Sequence, residues 1–571
     1  MIGEKESTSE SDNLEVSAKR AWFLAVADFY HPPLPDPVIE HSEEATSFFY
    51  ITSDDWTVHL NTAGVPLNLD SNNAEAFLHS ICHHEIQHYL LCPYDGVTNG
   101  MMFSAARRHL SDSMAMFVCN IFADLVVDSA LLKRFLTLTH ERIKMSIHDS
   151  SLRTRDHSPL WKLIVSTYRA MWGFPVPSGI DIDTATFSAS EEITTVARNF
   201  IAQETKWPTA TGKIAKIIAD WMPDDEEQLI NDEGDGSGQS VTVRIPLDVD
   251  GIMGSPVENR NGDLARRCLD SDSARDLDRE MEELAIEVES RGGDLQDLES
   301  VYILAGAGGH DKTWIRFWYR AKTRRFLRFD VSKKKLTGAI PLTPMTWRLG
   351  DPIEELDLVQ SLQAFPVIVP NMSTRRWLRT DMHGDQINES IPDLLLVIDS
   401  SGSMTWSMGK RKISGDYHTA LVSAFAAMDV ALRKGKQLAA INFSVGTRKC
   451  RWTRDRKDLE RVLLSYQGRG TIVPVDLIAK YCHEANADTM VLILTDAEVA
   501  NLEPFLSTVK ILSRQGHKIF IFHIGSKQKE KPGKTVRNLI IAGATVIPVS
   551  SVKDLPGLVV SEVQRTYSHG T

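Results

Sequence analysis

Pro392-Asp393-Leu394-Leu395-Leu396-Val397-Ile398-Asp399-Ser400-Ser401-Gly402-Ser403-Met404 decides how the C-terminal part of the chain folds. Five apolar residues run without a break into Asp-x-Ser-x-Ser. Too short for a membrane helix and lacking helical periodicity, the run reads as a central parallel strand buried on both faces. Asp399, Ser401 and Ser403 then stand where the strand becomes a loop, at its carboxyl end, where open α/β sheets bind ligands. A carboxylate and two hydroxyls are hard oxygen donors, suited to Mg2+ or Mn2+ rather than zinc.

Outward from this strand, apolar runs and helical stretches alternate from Ile391 to the C-terminus. Strands are expected at 394–399, 438–444, 447–452, 489–495, 518–524 and 544–549. Helices are expected near 416–434, 456–467, 474–485, 502–515 and 552–566. Such alternation gives an α/β, doubly wound, mostly parallel sheet. Gly468-Arg469-Gly470-Thr471 is a loop carrying a hydroxyl, and Met490-Val491-Leu492-Ile493-Leu494-Thr495-Asp496 is a second buried strand ending in an acid. Taken in this order, the three elements resemble the metal-ion-dependent adhesion site (MIDAS) of von Willebrand factor A domains, a Rossmann-like fold. The resemblance implies that Ser401, Ser403 and Thr471 touch a Mg2+ ion. It also implies that Asp399 and Asp496 hold the ion directly or through water, with one position left for a partner's carboxylate.

At 571 residues the chain should hold roughly two to four domains. A net charge of −13 argues against a general nucleic-acid binder. No apolar run approaches bilayer-spanning length. Ala21 to Ala27 starts too late for a secretory core and is followed at once by Asp28, so a cytoplasmic location is expected. The six cysteines show no Cys-x-x-Cys pair and read as reduced, mostly buried thiols.

The N-terminal half carries a second metal signature. Within a helix expected over 73–92 lies His83-His84-Glu85-Ile86-Gln87-His88-Tyr89. His84 and His88 are one helical turn apart, so both imidazoles project to one side, with Glu85 beside the first. This is the His-Glu-x-x-His zinc pattern of a peptidase, with Glu85 as general base. Two neutral nitrogens and a third ligand leave one position open, where bound water acidifies to a pKa of about 7. In metzincin spacing the third ligand would fall at Tyr94, which excludes that subclass. The better source is Asn120-Ile121-Phe122-Ala123-Asp124-Leu125-Val126-Val127-Asp128 on a second helix. It looks like the Glu-x-x-x-Asp helix of gluzincins with aspartate in place of glutamate. Asp124 is assigned as the zinc ligand, Asp128 as the acceptor that orients an imidazole, and Asn120 as an assisting group. His79 and His83 repeat the four-residue step without a following glutamate and read as packing or surface residues.

Along the rest of the chain, residues 1–20 are expected to be unstructured and 21–230 to form a mainly helical, zincin-like domain. Two short strands are expected over Phe48–Thr52 and Trp56–Asn61, and helices over 112–136, 158–172 and 190–221. Residues 231–262 read as an acidic, glycine-containing linker, 263–388 as a connecting region beginning with a charged helix over 263–292, and 389–571 as the A-type domain. Arg316, Arg320, Arg324 and Arg328 fall at four-residue steps among aromatics on a helix from Thr313 to Phe329. They are read as an internal ion network with Asp351, Glu354, Glu355 and Asp357, in preference to a nucleic-acid face.

Together, His84 to His88, Asn120 to Asp128, Trp347-Arg348-Leu349-Gly350-Asp351-Pro352 and the MIDAS set resemble a bacterial family of metallopeptidases with a C-terminal A-type domain, associated with MoxR-type AAA+ ATPases. The resemblance implies Zn2+ and Mg2+ as cofactors, a protein or peptide substrate and a MoxR-type partner. The chain has no Gly-x-x-x-x-Gly-Lys-Ser/Thr loop, so ATP chemistry belongs to another protein. Two further readings stand beside this one. One is a non-catalytic adaptor for such an ATPase; the other is a nucleic-acid-associated defence effector using the arginine stripe.

Overall fold

The computed structural model describes the chain apart from residues 1–2, 43–47, 52–55, 67–68, 154–156, 222–273, 306–313, 328–339, 381–391, 409–412, 486–487, 497–498, 525–533, 550–553 and 569–571. The expected linker over 231–262, Cys268 and Arg328 lie outside the described residues. The chain forms two compact units, Met1–Ala321 with Met408–Ile413, and Lys322–Ser407 with Ser414–Thr571. The division falls inside the expected connecting region 263–388. The reason is packing: a Cβ on Gly100 would meet Val301 at 2.6 Å, so the chain before the division is built into the first unit's core.

In the first unit, helix α1 (Gly3–Asp28) lies along α2 (Ser71–Leu90). Ala18, Ala21, Trp22 and Ala25 are buried there, and the three alanines let the two helices approach. Residues 3–20, expected to be unstructured, are therefore helical. Leu14 and Ala18 are the apolar positions of the described part of this stretch that pack into the core, and the polar residues around them hide that signal in the sequence. Asp70 starts α2 by accepting the Asn73 N–H at 2.9 Å, satisfying one of the donors that a helix start leaves over.

Then follow α3 (Gly96–Ala106), α4 (Asp112–Arg134), α5 (Leu136–Arg153) and α6 (Pro159–Trp172). Helix α6 is bounded by the Ser158 cap, proline at its first position and Gly173 at φ +82°. The helix expected over 190–221 is two, α7 (Thr184–Phe200) and α8 (Trp207–Ile218). A small sheet, β1 (Val38–Glu40), β2 (Phe49–Ile51) and β3 (Val58–Asn61), has the order β1-β3-β2.

Helix α4 corrects the expectation about apolar length: it is long and apolar enough to cross a membrane by length and composition, although most of it is buried. Asn120, Asp124 and Asp128 interrupt its apolar letters at four-residue steps, so no single run reveals it.

After residue 273 come α9 (Ala274–Ser290), α10 (Leu295–Leu304) and α11 (Ile315–Leu327). Arg316 pairs with Asp278 at 2.9 Å and Arg320 with Glu282 at 3.0 Å. Three of the four acids expected to meet them are engaged elsewhere: Arg376 takes Asp351 and Glu355, and Trp377 Nε1 donates to Asp357. Two acids four residues apart on α9 match two arginines four apart on α11, a ladder that neither segment shows alone.

In the second unit β4 (Ile340–Thr346) and β5 (Arg375–Thr380) pair antiparallel, with α12 (Leu358–Ala364) between them in sequence. The main sheet holds β6 (Asp393–Asp399), β7 (Leu438–Phe443), β8 (Thr447–Thr453), β9 (Thr489–Thr495), β10 (Lys518–Ile524) and β11 (Thr545–Val549). Its order is β8-β7-β6-β9-β10-β11, parallel except for β8 at one edge.

All seven residues of β6 are buried. Leu395 and Val397 pack with Ile441, Val491, Ile493, Phe505 and Val509 on one face. By the alternation of a strand, Leu394, Leu396 and Ile398 point to the other face, where α13 (Asp416–Arg433) lies against β6. The chain leaves β6 toward β7 on one side and reaches β9 on the other. That reversal opens a crevice at the carboxyl end of β6.

Candidate metal centres

Helix α2 buries Phe77, Leu78, Ile81 and Ile86, so the turn between them enters the protein. His84, Glu85 and His88 are each 1% exposed, and Asp124 and Asp128 of the neighbouring α4 are wholly buried. His84 Nε2 and His88 Nε2 lie 3.2 Å apart, and Asp124 Oδ1 stands 3.5 Å from the first and 3.1 Å from the second. These are the edges of one face of a tetrahedron. Ligands held about 2.0–2.1 Å from a tetrahedral zinc ion stand about 3.4 Å from one another.

The outer contacts fix where the protons sit. His88 Nδ1 donates to the Cys92 carbonyl at 2.7 Å, and His84 Nδ1 lies 2.9 Å from Asp128 Oδ1. A carbonyl and an ionised carboxylate only accept, so in neutral imidazoles both Nε2 lone pairs face inward, toward each other and toward Asp124. Three acceptors at such distances need a cation or a shared proton between them. The donor set therefore fits a divalent metal held by His84, His88 and Asp124. Asn120 Nδ2 donates to Asp124 Oδ2 at 3.2 Å, so Asn120 touches the ligand and not the ligand triangle.

Without a metal the proton takes that place. Burial works to lower the pKa of His84, but the Asp128 and Asp124 carboxylates outweigh it and hold the imidazole up at about 9. Burial likewise opposes ionisation of Asp124, yet hydrogen bonds from both histidines keep it well below the usual carboxylate range. Asp128 is also lowered, against burial, by the Arg142 guanidinium and by His84. Arg142 Nη2 donates a short hydrogen bond to Asp128 Oδ1, and the Tyr168 hydroxyl lies 3.5 Å from Oδ2.

A pH dependence follows for metal-stripped protein. His84 is raised from an ordinary 6.5 to about 9 on folding, so its contribution is complete below about 6.5 and lost as pH rises through 9. The shift corresponds to about 3 kcal/mol. Urea unfolding of chelator-treated protein should show stability falling across this window, whereas zinc-loaded protein should gain because protons no longer compete with the metal. Equal profiles with and without metal would contradict the assignment.

In the second unit the crevice at β6 gathers oxygen ligands. Asp399 Oδ1 accepts the Ser401 N–H at 2.9 Å and Oδ2 accepts the Thr495 hydroxyl at 2.7 Å. The Ser401 and Ser403 hydroxyls are 3.1 Å apart. The loop carrying Thr471 is stitched alongside, with Gly468 N–H on Ser400 O at 2.8 Å and Gly402 N–H on Arg469 O at 2.6 Å. Asp496 follows β9, and its carbonyl accepts from His523 Nε2 at 2.9 Å. Burial, with Asp496 adding repulsion, raises the pKa of Asp399 despite hydrogen bonds from Thr495 and Ser401. Two crowded carboxylates beside two hydroxyls fit a hard dication such as Mg2+.

Several participants escape sequence reasoning. Arg142 and Tyr168 sit on α5 and α6 with no motif linking them to Asp128. Asp416, at the start of α13, is raised by burial and then by Asp496, so it faces the same acidic crevice. Its only signal is an acid opening a helix. His79 and His83, read as packing or surface residues, both reach Asp28.

No family model matches the chain, and no curated protein matches it. Among solved structures, an uncharacterized membrane spanning protein from Vibrio fischeri is 20% identical, with a TM-score of 0.14. The match covers 31% of this chain and 98% of that one.

Proposed function

We propose that the chain is a zinc-dependent peptidase whose second unit is a von Willebrand factor A-type domain that docks a partner through Mg2+. The observation that supports it best is the triangle of His84 Nε2, His88 Nε2 and Asp124 Oδ1, with edges of 3.1–3.5 Å and both Nδ1 atoms held from outside. Bound zinc would supply an acidified water and a Lewis acid for a peptide carbonyl. The chain's own residues do the rest. Asp128 and the Cys92 carbonyl hold the imidazole tautomers, Arg142 keeps Asp128 ionised, and Glu85, beside His84 on α2, takes a proton from the attacking water. In the other unit Asp399, Ser401, Ser403, Thr471 and Asp496 hold Mg2+ and leave a position for a partner's carboxylate. The family resemblance implies a MoxR-type AAA+ ATPase as that partner.

One observation favours a second reading, a non-catalytic adaptor that keeps the zinc fold for shape. His84, Glu85, His88 and Asp124 are all at most 1% exposed, which leaves a polypeptide no route to them. Under the first reading the partner opens that route. Metal analysis of the purified chain, paired with a proteolysis assay with and without the ATPase, decides between them. The expected result is tightly held zinc lost in His84→Gln and Mg2+ lost in Asp399→Ala, with proteolysis stopped by a chelator and restored by zinc. Bound zinc without proteolysis under either condition would leave the adaptor. No zinc after dialysis against it would remove the peptidase reading altogether.

A further inference from the structure

Helix α2 carries a second pair of histidines one turn apart, and they converge on a residue of another helix. His79 Nε2 and His83 Nε2 each lie 2.9 Å from Oδ2 of Asp28, the last residue of α1. The three donor atoms all lie within 4.8 Å of one another. Arg134 donates to the Asp28 carbonyl, which fixes the end of α1 by its backbone and leaves the carboxylate turned to the imidazoles. Phe29 and Phe135 wall His83, which has no exposed side-chain surface, while His79 and Asp28 keep part of theirs in solvent. The group is anchored on its inner side and reachable from its outer side, as a binding site requires.

Two imidazole nitrogens and one carboxylate oxygen suit late first-row dications, and they are poor ligands for Mg2+ or Ca2+. An ordinary hydrogen-bonded packing pair would need only one imidazole on the carboxylate. Here both end on the same oxygen, and a helical turn fixes the nitrogens on one side of it.

We propose that Asp28, His79 and His83 form a second, exchangeable site for Zn2+ or a similar dication, joining α1 to α2. This goes beyond the peptidase reading and does not depend on it. The site is the weaker of the two. His84 and His88 each have an acceptor for Nδ1, whereas His83 Nδ1 has no hydrogen-bond partner among the described residues. Loss of such an outer partner lowers metal affinity by about 10–100-fold. The Arg134 guanidinium, stacked over Phe29 and Phe135, adds a nearby positive charge that works in the same direction.

The test is equilibrium dialysis of chelator-washed full-length protein against Zn2+, with Mg2+ in excess to hold the oxygen site. Wild type should bind a tight and a weaker equivalent. The weaker one should disappear in His79→Gln and in Asp28→Asn, two partly exposed positions, and should survive in His84→Gln, which loses the tight one. The thermal midpoint of wild type should rise as the weaker site fills, and that of His79→Gln should not. Absence of the weaker equivalent from wild type, or a weaker equivalent that persists in both His79→Gln and Asp28→Asn, overturns the proposal. Loss of the tight equivalent alone would bear on the peptidase reading and leave this one standing.

Discussion

On the peptidase reading, Glu85→Gln is expected to slow peptide hydrolysis by about two to four orders of magnitude while leaving the zinc content unchanged. The substitution keeps the volume of a side chain that is 1% exposed, so packing around α2 should survive it. The amide cannot accept the proton that a carboxylate takes from an attacking water. A factor of that size corresponds to about 3–5 kcal/mol of barrier, the usual contribution of one positioned base. Zinc analysis separates the outcomes. Retained zinc with lost hydrolysis marks Glu85 as the base. If zinc and hydrolysis fall together, Glu85 holds the fold, and unchanged hydrolysis places the base elsewhere. Under the adaptor reading, cells carrying Glu85→Gln behave like wild type, and Asp399→Ala combined with Ser401→Ala removes function instead.

The two centres differ in how far their residues speak for themselves. At the carboxyl end of β6 nearly everything is local. A five-residue apolar run sets the strand, and Asp399, Ser401 and Ser403 follow within five residues, so the chain order carries the geometry. The N-terminal centre is legible only to the depth of its helices. The four-residue steps of His84/His88 and Asp124/Asp128 mark the inward faces, because a helical turn repeats at that spacing. What lies behind them does not follow from spacing. Arg142 comes from α5, a helix whose Leu-Thr-Leu-Thr-His-Glu opening lacks a cap signal and a clear apolar stripe. Helix α3 is missed for the opposite reason: it is buried on every face, so it has no polar side to give it a period. Nothing in the sequence ties Asp28 to His79 and His83, because it closes a helix whose first turns read as unstructured.

Arg142→Met is expected to destabilise the first unit by about 3–5 kcal/mol, because it leaves the Asp128 carboxylate wholly buried without its cation. Arg142 is itself only 2% exposed, so water cannot replace it without opening α4 from α5. In metal-stripped protein a protonated His84 remains beside Asp128 as a second cation, and in the zinc-loaded form the ion that His84 would hold takes that part. A double-mutant cycle isolates the pair: Arg142→Met with Asp128→Asn should cost less than the two single changes added, since removing both charges leaves none buried alone. Chemical unfolding of the four proteins, with and without zinc, reads this coupling directly. If the two changes add, the guanidinium and the carboxylate do not depend on one another. His84 would then have to be oriented by its packing, and the outer half of the centre would lose its place in the chemistry.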